Sequence, residues 1–246
     1  MPRLKSLAVL ALFASGFAAQ PALAEDFGDL TCEFLFKGEP PKLPALATQN
    51  ADCTKFPNPD ETLVVNPTTK GIANIVVYLK KKPKSIHPDL QAVPGPVNVN
   101  QKGCQFVPHV VMVRTKQTMD LTSGDTFAHN TKGAAFENSD FNILISPMGK
   151  STHSFEKAES TPVKVECNIH GHMNGHWLVI DHPYGGISDE NGKVKIEKLP
   201  VGKHDLVIWQ ERVGYIEKKL EVTIDKSKPF EIKKERTDAD LTKKKK

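Results

Sequence analysis

The chain has 246 residues, with 33 lysines and arginines against 29 aspartates and glutamates, which gives a net charge of +4. This near balance gives no reason to expect a nucleic-acid partner. The sequence contains no P-loop, no dinucleotide-binding fingerprint, no zinc-protease HExxH and no GxSxG elbow. Because these motifs are absent, we expect a protein that is not an enzyme and infer no small-molecule substrate.

The first 24 residues have the pattern of a secretory signal peptide. Arg3 and Lys5 form a positive start, an apolar run follows over Leu7–Phe17, and Ala22-Leu-Ala24 is typical of a cleavage site. The apolar run is shorter than the roughly 20 residues that span a bilayer. We therefore expect export to the periplasm, the cell envelope or the medium, with a mature chain that starts at Glu25 and has no membrane span.

The rest of the chain has the patterns of β structure. Residues 25–96 are predicted to form an N-terminal β extension, with strands near Thr31–Phe36, Leu63–Asn66 and Ile72–Leu79, the last of them buried on both faces. Further on, apolar residues alternate with period two over residues 107–114, 163–167 and 194–199, and Pro and Gly clusters separate these runs. Many short strands with regular turns indicate β-sandwiches or barrels. The predicted fold class is therefore all-β.

The most informative motif is Cys-x-x-His-x-x-Met, formed by Cys167, His170 and Met173, with His129 lying 38 residues before it. A thiolate and two imidazoles in a trigonal plane, with a weak axial thioether, are the ligands of a blue-copper electron-transfer site. A tight loop between two strands can turn three of these side chains toward one point. The residues thus predict a copper site formed by His129, Cys167, His170 and Met173. Methionine is also a common core residue.

The order of these residues resembles the cupredoxin family, and the short loop is most similar to that of amicyanin. The stretch from Phe106 to Leu121 resembles the F-x-P strand and second hydrophobic strand of that family, and His129-Asn130 resembles the pair that supplies its first copper ligand. The resemblance covers residues 97–182, about a third of the chain. It implies a Greek-key β-sandwich there that carries electrons through copper.

The whole chain also resembles secreted cupredoxin-like proteins often labelled methylamine-utilisation proteins. His172 stands where those proteins usually have an aromatic residue, and Gly171 where they have proline. His172 is therefore an alternative axial ligand, although in an extended loop it would point away from His170. The resemblance also implies that Asn130 ties the two ligand loops together. His109 could support the site or form another metal site with Cys104, but an exposed strand face is the more ordinary position for His109.

The C-terminal part resembles another β unit. Residues 183–236 are similar to carboxypeptidase-regulatory-like, transthyretin-type sandwiches, with the first hairpin expected at Asn191-Gly192 and the second turn at Pro200-Val-Gly202. Residues 237–246 are lysine-rich and are expected to form a disordered tail.

Four cysteines in an exported chain allow several disulfide pairings. The resemblance to secreted relatives favours Cys53 with Cys104, and Cys32 with Cys53 is the alternative. A Cys104–Cys167 disulfide would instead abolish the copper site.

Together, these observations predict an exported copper-binding electron carrier whose redox partner the sequence does not identify. Electrons would leave through an exposed ligand histidine, for which His170 is the best candidate. The alternative function is a cell-envelope binding or structural module whose cupredoxin domain has no redox role. The two β units that flank the small redox domain are the reason to consider it, because a simple electron shuttle needs neither.

Overall fold

The computed structural model describes residues 26–242. The predicted signal peptide and the last four lysines lie outside this range. The described residues form sixteen strands in four sheets and two short 3₁₀ helices, Pro88–Leu90 and Ala239–Leu241, without an α-helix. The predicted all-β fold class is confirmed. Within residues 26–242 there is no helix of sufficient length and apolarity to span a bilayer.

The central part of the chain forms one sandwich, called here the first sandwich, from two sheets with the strand orders β5-β11-β10-β7-β8 and β4-β3-β6-β9. Its strands are β3 (Val97–Gln101), β4 (Phe106–Val107), β5 (Val110–Arg114), β6 (Met119–Ser123), β7 (His129–Gly133), β8 (Phe141–Ile145), β9 (Lys150–His153), β10 (Val163–Glu166) and β11 (Asn174–Ile180). Its core contains Trp177, Phe106, Phe155 and Met119, all almost fully buried.

The two ends of the chain together form the second sandwich, whose sheets have the strand orders β13-β1-β16 and β12-β2-β14-β15. Its strands are β1 (Phe27–Phe36), β2 (Val76–Leu79), β12 (Gly185–Ile187), β13 (Lys193–Pro200), β14 (Gly202–Gln210), β15 (Gly214–Ile224) and β16 (Phe230–Arg236). Alternate residues of β1, including Leu30, Cys32 and Phe34, point into its core.

The expected N-terminal extension and C-terminal unit therefore share their sheets. Strand β1 pairs antiparallel with β13 and parallel with β16, and β2 lies between β12 and β14. The expected strand at Leu63–Asn66 is reduced to one bridge between Val65 and Ile72. Asn191-Gly192 does not make the expected hairpin, because β12 and β13 on either side of it belong to different sheets. Pro200-Val-Gly202 connects β13 to β14 in the opposite sheet.

The two sandwiches contact each other through a third apolar cluster. Val76 and Tyr78 of β2, with Val207 and Trp209 of β14, meet a group from β5 and β11 that includes Leu178. Strand β2 is consequently buried along its whole length, with one face toward each cluster, as its continuous apolar run predicted.

The structure differs from the expected disordered tail at residues 237–242, where Leu241 is buried in the core of the second sandwich.

Candidate metal centre

Neighbouring strands bring three of the four predicted copper ligands to one end of the first sandwich. His129 begins β7, and Cys167 directly follows β10, which pairs antiparallel with β7. The loop that leads to β11 is closed by two backbone hydrogen bonds: Cys167 N donates to the Met173 carbonyl over 3.2 Å, and Met173 N donates to the His170 carbonyl over 2.8 Å. This tight turn points His170 back toward Cys167.

The three donor atoms form a small buried triangle. His129 Nδ1 lies 3.0 Å from His170 Nδ1, while Cys167 Sγ lies 3.6 Å from His170 Nδ1 and 4.0 Å from His129 Nδ1. All three side chains are at most 1% exposed. Trigonal bonds of about 2.0 Å to nitrogen and about 2.3 Å to sulfur would separate such atoms by roughly 3.5 to 3.7 Å. The residues therefore fit a copper ion of the type that the motif predicts.

Asp125 orients the first of these imidazoles. Its Oδ2 lies 3.0 Å from His129 Nε2 and accepts a hydrogen bond from Cys104 N, while its Oδ1 accepts one from Gly103 N over 2.8 Å. A carboxylate at Nε2 fixes the proton there and leaves the Nδ1 lone pair directed at the triangle. Sequence reasoning missed this residue. Its only local signal is the Ser-Gly-Asp turn four residues before His129.

Burial keeps both imidazoles in the neutral form that binds metals. Desolvation lowers the pKa of His129, although the hydrogen bond and charge of Asp125 oppose it. Desolvation lowers the pKa of His170 as well, and the neighbouring His129 lowers it further. Histidines coordinate a metal as neutral imidazoles, and a cysteine coordinates it as a thiolate, which forms when the metal displaces the thiol proton.

Asn130 connects the two ligand loops, as the resemblance implies. Its side-chain oxygen accepts hydrogen bonds from Asn168 N over 2.8 Å and from Ile169 N over 3.3 Å. Its backbone N–H points at Cys167 Sγ over 3.5 Å. A backbone N–H directed at the sulfur stabilises a thiolate and adjusts the redox potential of a metal that it binds.

The expectation that His170 is exposed is wrong. Its side chain is buried, and Asp52 Oδ2 lies 4.0 Å from its Nε2, which makes no hydrogen bond within the described chain. The ring of Phe127 lies 5.3 Å from the His170 ring and 5.2 Å from the His129 ring. Asp52 lies far from the ligand loop in sequence, and the Cys-x-x-His-x-x-Met motif gives no signal that it covers the site.

The segment that carries Asp52 is held to the first sandwich by a disulfide. Cys53 and Cys104 are bonded, which leaves Cys32 and Cys167 as free, buried thiols. The pairing implied by the resemblance is thus present, and the pairing that would destroy the site is not. Cys104 is consequently not a metal ligand beside His109.

The remaining candidates lie around this centre. Met173 is 2% exposed in the core of the first sandwich, next to Cys167 in the same cluster. His172 lines a cavity that it shares with His109 and Met173, and it is not part of the donor triangle. The expected exposed strand face for His109 is wrong, because its side chain is 4% exposed and faces carboxylates.

No protein-family model and no curated protein matches this sequence. Among solved structures, similarity is found to a Cu-containing nitrite reductase from Thermus scotoductus, at 19% identity and a TM-score of 0.32, covering 42% of this chain and only 25% of the reductase. A purple cupredoxin from Nitrosopumilus maritimus is matched at 17% identity and a TM-score of 0.29, over 34% of this chain and 98% of its own. An oxidized amicyanin mutant is matched at 16% identity and a TM-score of 0.32, over 36% of this chain and 86% of its own.

Proposed function

We propose that this protein is an exported electron carrier in which His129, Cys167, His170 and Met173 would hold one copper ion. The observation that carries the proposal is the buried triangle of two imidazole nitrogens and one thiol sulfur, with edges of 3.0 to 4.0 Å. Two buried histidines that only stabilised the core would not require a free thiol beside both imidazole nitrogens. Copper would supply one-electron exchange between Cu(I) and Cu(II).

The chain contributes a preformed cage. Asp125 holds one imidazole, Asn130 holds the Cys167 loop, and the backbone bonds between residues 167, 170 and 173 hold the rest. A cage that is already in place keeps ligand movement small when the charge of the metal changes, and small movement favours fast electron transfer. We propose a carrier and not an enzyme, because the thiol and both imidazoles are almost fully buried and face one another rather than a surface that a substrate could reach.

The burial of His170 changes the proposed route of the electron. A redox partner would meet the exposed Asp52 and the half-buried Phe127 ahead of the imidazole. Lys55 lies over the Phe127 ring at 5.5 Å, so the surface above the site carries charges of both signs. Such a surface would make association with a charged partner depend on ionic strength.

The test is copper loading of the mature protein and of two cysteine variants. The Cys167 centre of wild type should bind one Cu(II), with an intense thiolate-to-copper band in the visible and a narrow EPR hyperfine splitting. Cys167→Ser should abolish the band. Cys32→Ser is the matched control, because Cys32 is the other free, buried thiol, and it should keep the full band. A colourless wild type, or a band that survives Cys167→Ser, would refute the proposal.

The second candidate is a binding or structural module of the cell envelope, and the second sandwich favours it. This unit has its own large apolar core, and none of its sheets contributes to the donor triangle. A wild type that stays colourless while folded would leave this candidate as the better explanation.

A further inference from the structure

A second group of histidines and carboxylates lies where the two sandwiches meet. His109 directly precedes β5, His176 belongs to β11, and Glu211 lies in the turn between β14 and β15. Glu61 reaches the same place from the long segment between β1 and β2. The group thus draws on both sandwiches and contains no residue of the Cys167 centre.

The backbone places the two histidines side by side. Strands β5 and β11 pair parallel with His176 opposite Val110, and His176 N donates to the His109 carbonyl over 3.0 Å. A Cβ atom at position 175 would lie 2.7 Å from that carbonyl oxygen, so only Gly175 permits the approach. The Trp209 ring lies 5.1 Å from the His176 ring and limits its movement.

The donor atoms converge. His109 Nε2 is hydrogen-bonded to Glu211 Oε2 at 2.5 Å, and His176 Nδ1 lies 3.6 Å from Glu211 Oε1. On its other side, His109 Nδ1 lies 3.6 Å from Glu61 Oε2. One donor atom from each of His109, His176 and Glu211 lies within 4.8 Å of the others.

A plain buried ion pair explains this group poorly. A single carboxylate would satisfy His109, yet two carboxylates face it. The carboxylates lie on the two ring nitrogens of one buried imidazole, and a protonated imidazole offsets only one of their two negative charges.

We propose that His109, His176 and Glu211 form a second metal site for a divalent ion, Zn(II) or Cu(II), which fastens the first sandwich to the second. Glu61 would orient His109 through its other ring nitrogen. Imidazole nitrogen and carboxylate oxygen without thiolate are ligands that suit these ions. Bonds of about 2.0 to 2.2 Å in a tetrahedral arrangement would separate the ligand atoms by roughly 3.3 to 3.6 Å. The 3.6 Å between His176 Nδ1 and Glu211 Oε1 meets this requirement. His109 Nε2 and Glu211 Oε2, which are 2.5 Å apart, would separate by about 1 Å when bonds to the ion replace their hydrogen bond.

The test uses the full mature chain with Cys167→Ser as the background, which removes the thiolate of the other centre. Calorimetric titration of this metal-free variant with Zn(II) should show one bound ion, and binding should raise the unfolding temperature because the ion joins two units. Adding Glu211→Gln should weaken Zn(II) binding at least ten-fold and remove most of the thermal shift. The Gln side chain keeps the shape and an acceptor oxygen.

The matched control is His87→Asn in the same background. His87 also lies near a carboxylate, with its Nδ1 3.7 Å from Asp89 Oδ2, but this pair is at the surface. Zn(II) binding should be unchanged. His109→Asn should weaken Zn(II) binding in the same way as Glu211→Gln. Co(II) serves as a spectroscopic probe that distinguishes the two sites, because in wild type only Co(II) bound at the Cys167 centre would show intense sulfur charge transfer. Equal Zn(II) affinity in the Glu211→Gln and His87→Asn variants would overturn the proposal, whatever the colour of the copper-loaded wild type.

Discussion

The two free thiols of this protein lie in opposite kinds of core. Cys32 points into the second sandwich among Leu30, Phe34 and other apolar side chains, and burial raises its pKa to about 12. Cys167 is as deeply buried, but it faces two imidazoles and the backbone N–H of Asn130. Burial is therefore not what distinguishes a ligand from a structural cysteine. The groups that could stabilise its thiolate make the difference.

The same contrast holds for the two sandwiches as a whole. The second sandwich encloses a continuous apolar cluster that joins both ends of the chain. The first keeps buried polar residues at one end, among them Gln101, Asp125, His129 and Asn130. Buried polar groups stabilise a fold only when they are all satisfied, so this end depends on specific partners, whereas the second sandwich depends on apolar packing.

The largest expected loss of stability follows from a cavity in the second sandwich. Phe34 is fully buried in the middle of β1. We expect Phe34→Ala to lower the free energy of unfolding by about 3 to 5 kcal/mol, measured by urea denaturation. The visible band of copper-loaded protein should stay unchanged at 10 °C, where the variant remains folded. A lost band in folded variant protein would show that the two sandwiches are coupled at the copper centre.

Removal of the disulfide should have the next largest effect and should act on the first sandwich. Cys53 and Cys104 are 51 residues apart, and a loop of this length is typically stabilised by about 4 kcal/mol. We expect Cys53→Ala with Cys104→Ala to lose about 2 to 4 kcal/mol and to make the copper centre more accessible. Reduction of the loaded protein by an external reagent should then become faster, as stopped-flow absorbance would show. An unchanged reduction rate would mean that Asp52 and Phe127 cover His170 without the disulfide.

A smaller loss is expected at Glu159, which anchors the loop after β7. Its carboxylate accepts hydrogen bonds from the backbone N–H groups of Phe136, Glu137 and Asn138 at 2.9 to 3.2 Å and from the Asn138 side chain at 2.7 Å. Burial alone would raise the pKa of Glu159, but these hydrogen bonds lower it below its ordinary value. The stabilisation is therefore present above the pKa of the unfolded chain and is lost as pH falls through the folded value.

Glu159→Gln should accordingly lower the free energy of unfolding by about 1 to 3 kcal/mol at pH 7. The difference from wild type should shrink as the pH falls below the ordinary glutamate pKa toward the lowered pKa at which the wild-type carboxylate becomes protonated. Urea denaturation at a series of pH values measures both. A difference that stays constant with pH would indicate that the loss comes from packing and not from the charge.

Local sequence pattern predicted the β class because alternation of apolar residues reflects one buried face of a strand. It could not predict that β1 and β2 join C-terminal strands, because such pairing depends on residues more than 100 positions away. The ligand triangle was predictable, since Cys167 and His170 share one short loop. The burial of His170 was not, because Asp52 and Phe127 cover it from other parts of the chain.

The least disruptive test concerns the axial position of the proposed copper site. Met173 is buried, and its backbone closes the ligand loop through both Cys167 and His170. His172 lines the cavity beside His109 instead. Both residues are close enough in sequence to the ligands to compete for the metal, so only a paired comparison separates them.

We expect Met173→Leu to keep an intense visible band and to raise the reduction potential, because loss of a weak donor destabilises Cu(II) more than Cu(I). Leucine has nearly the same volume, so the stability cost should be below about 1.5 kcal/mol. His172→Ala should leave the spectrum and the potential nearly unchanged. The measurements are visible absorption, EPR and protein-film voltammetry of both variants. A spectrum transformed by His172→Ala and unaffected by Met173→Leu would instead identify His172 as the fourth ligand.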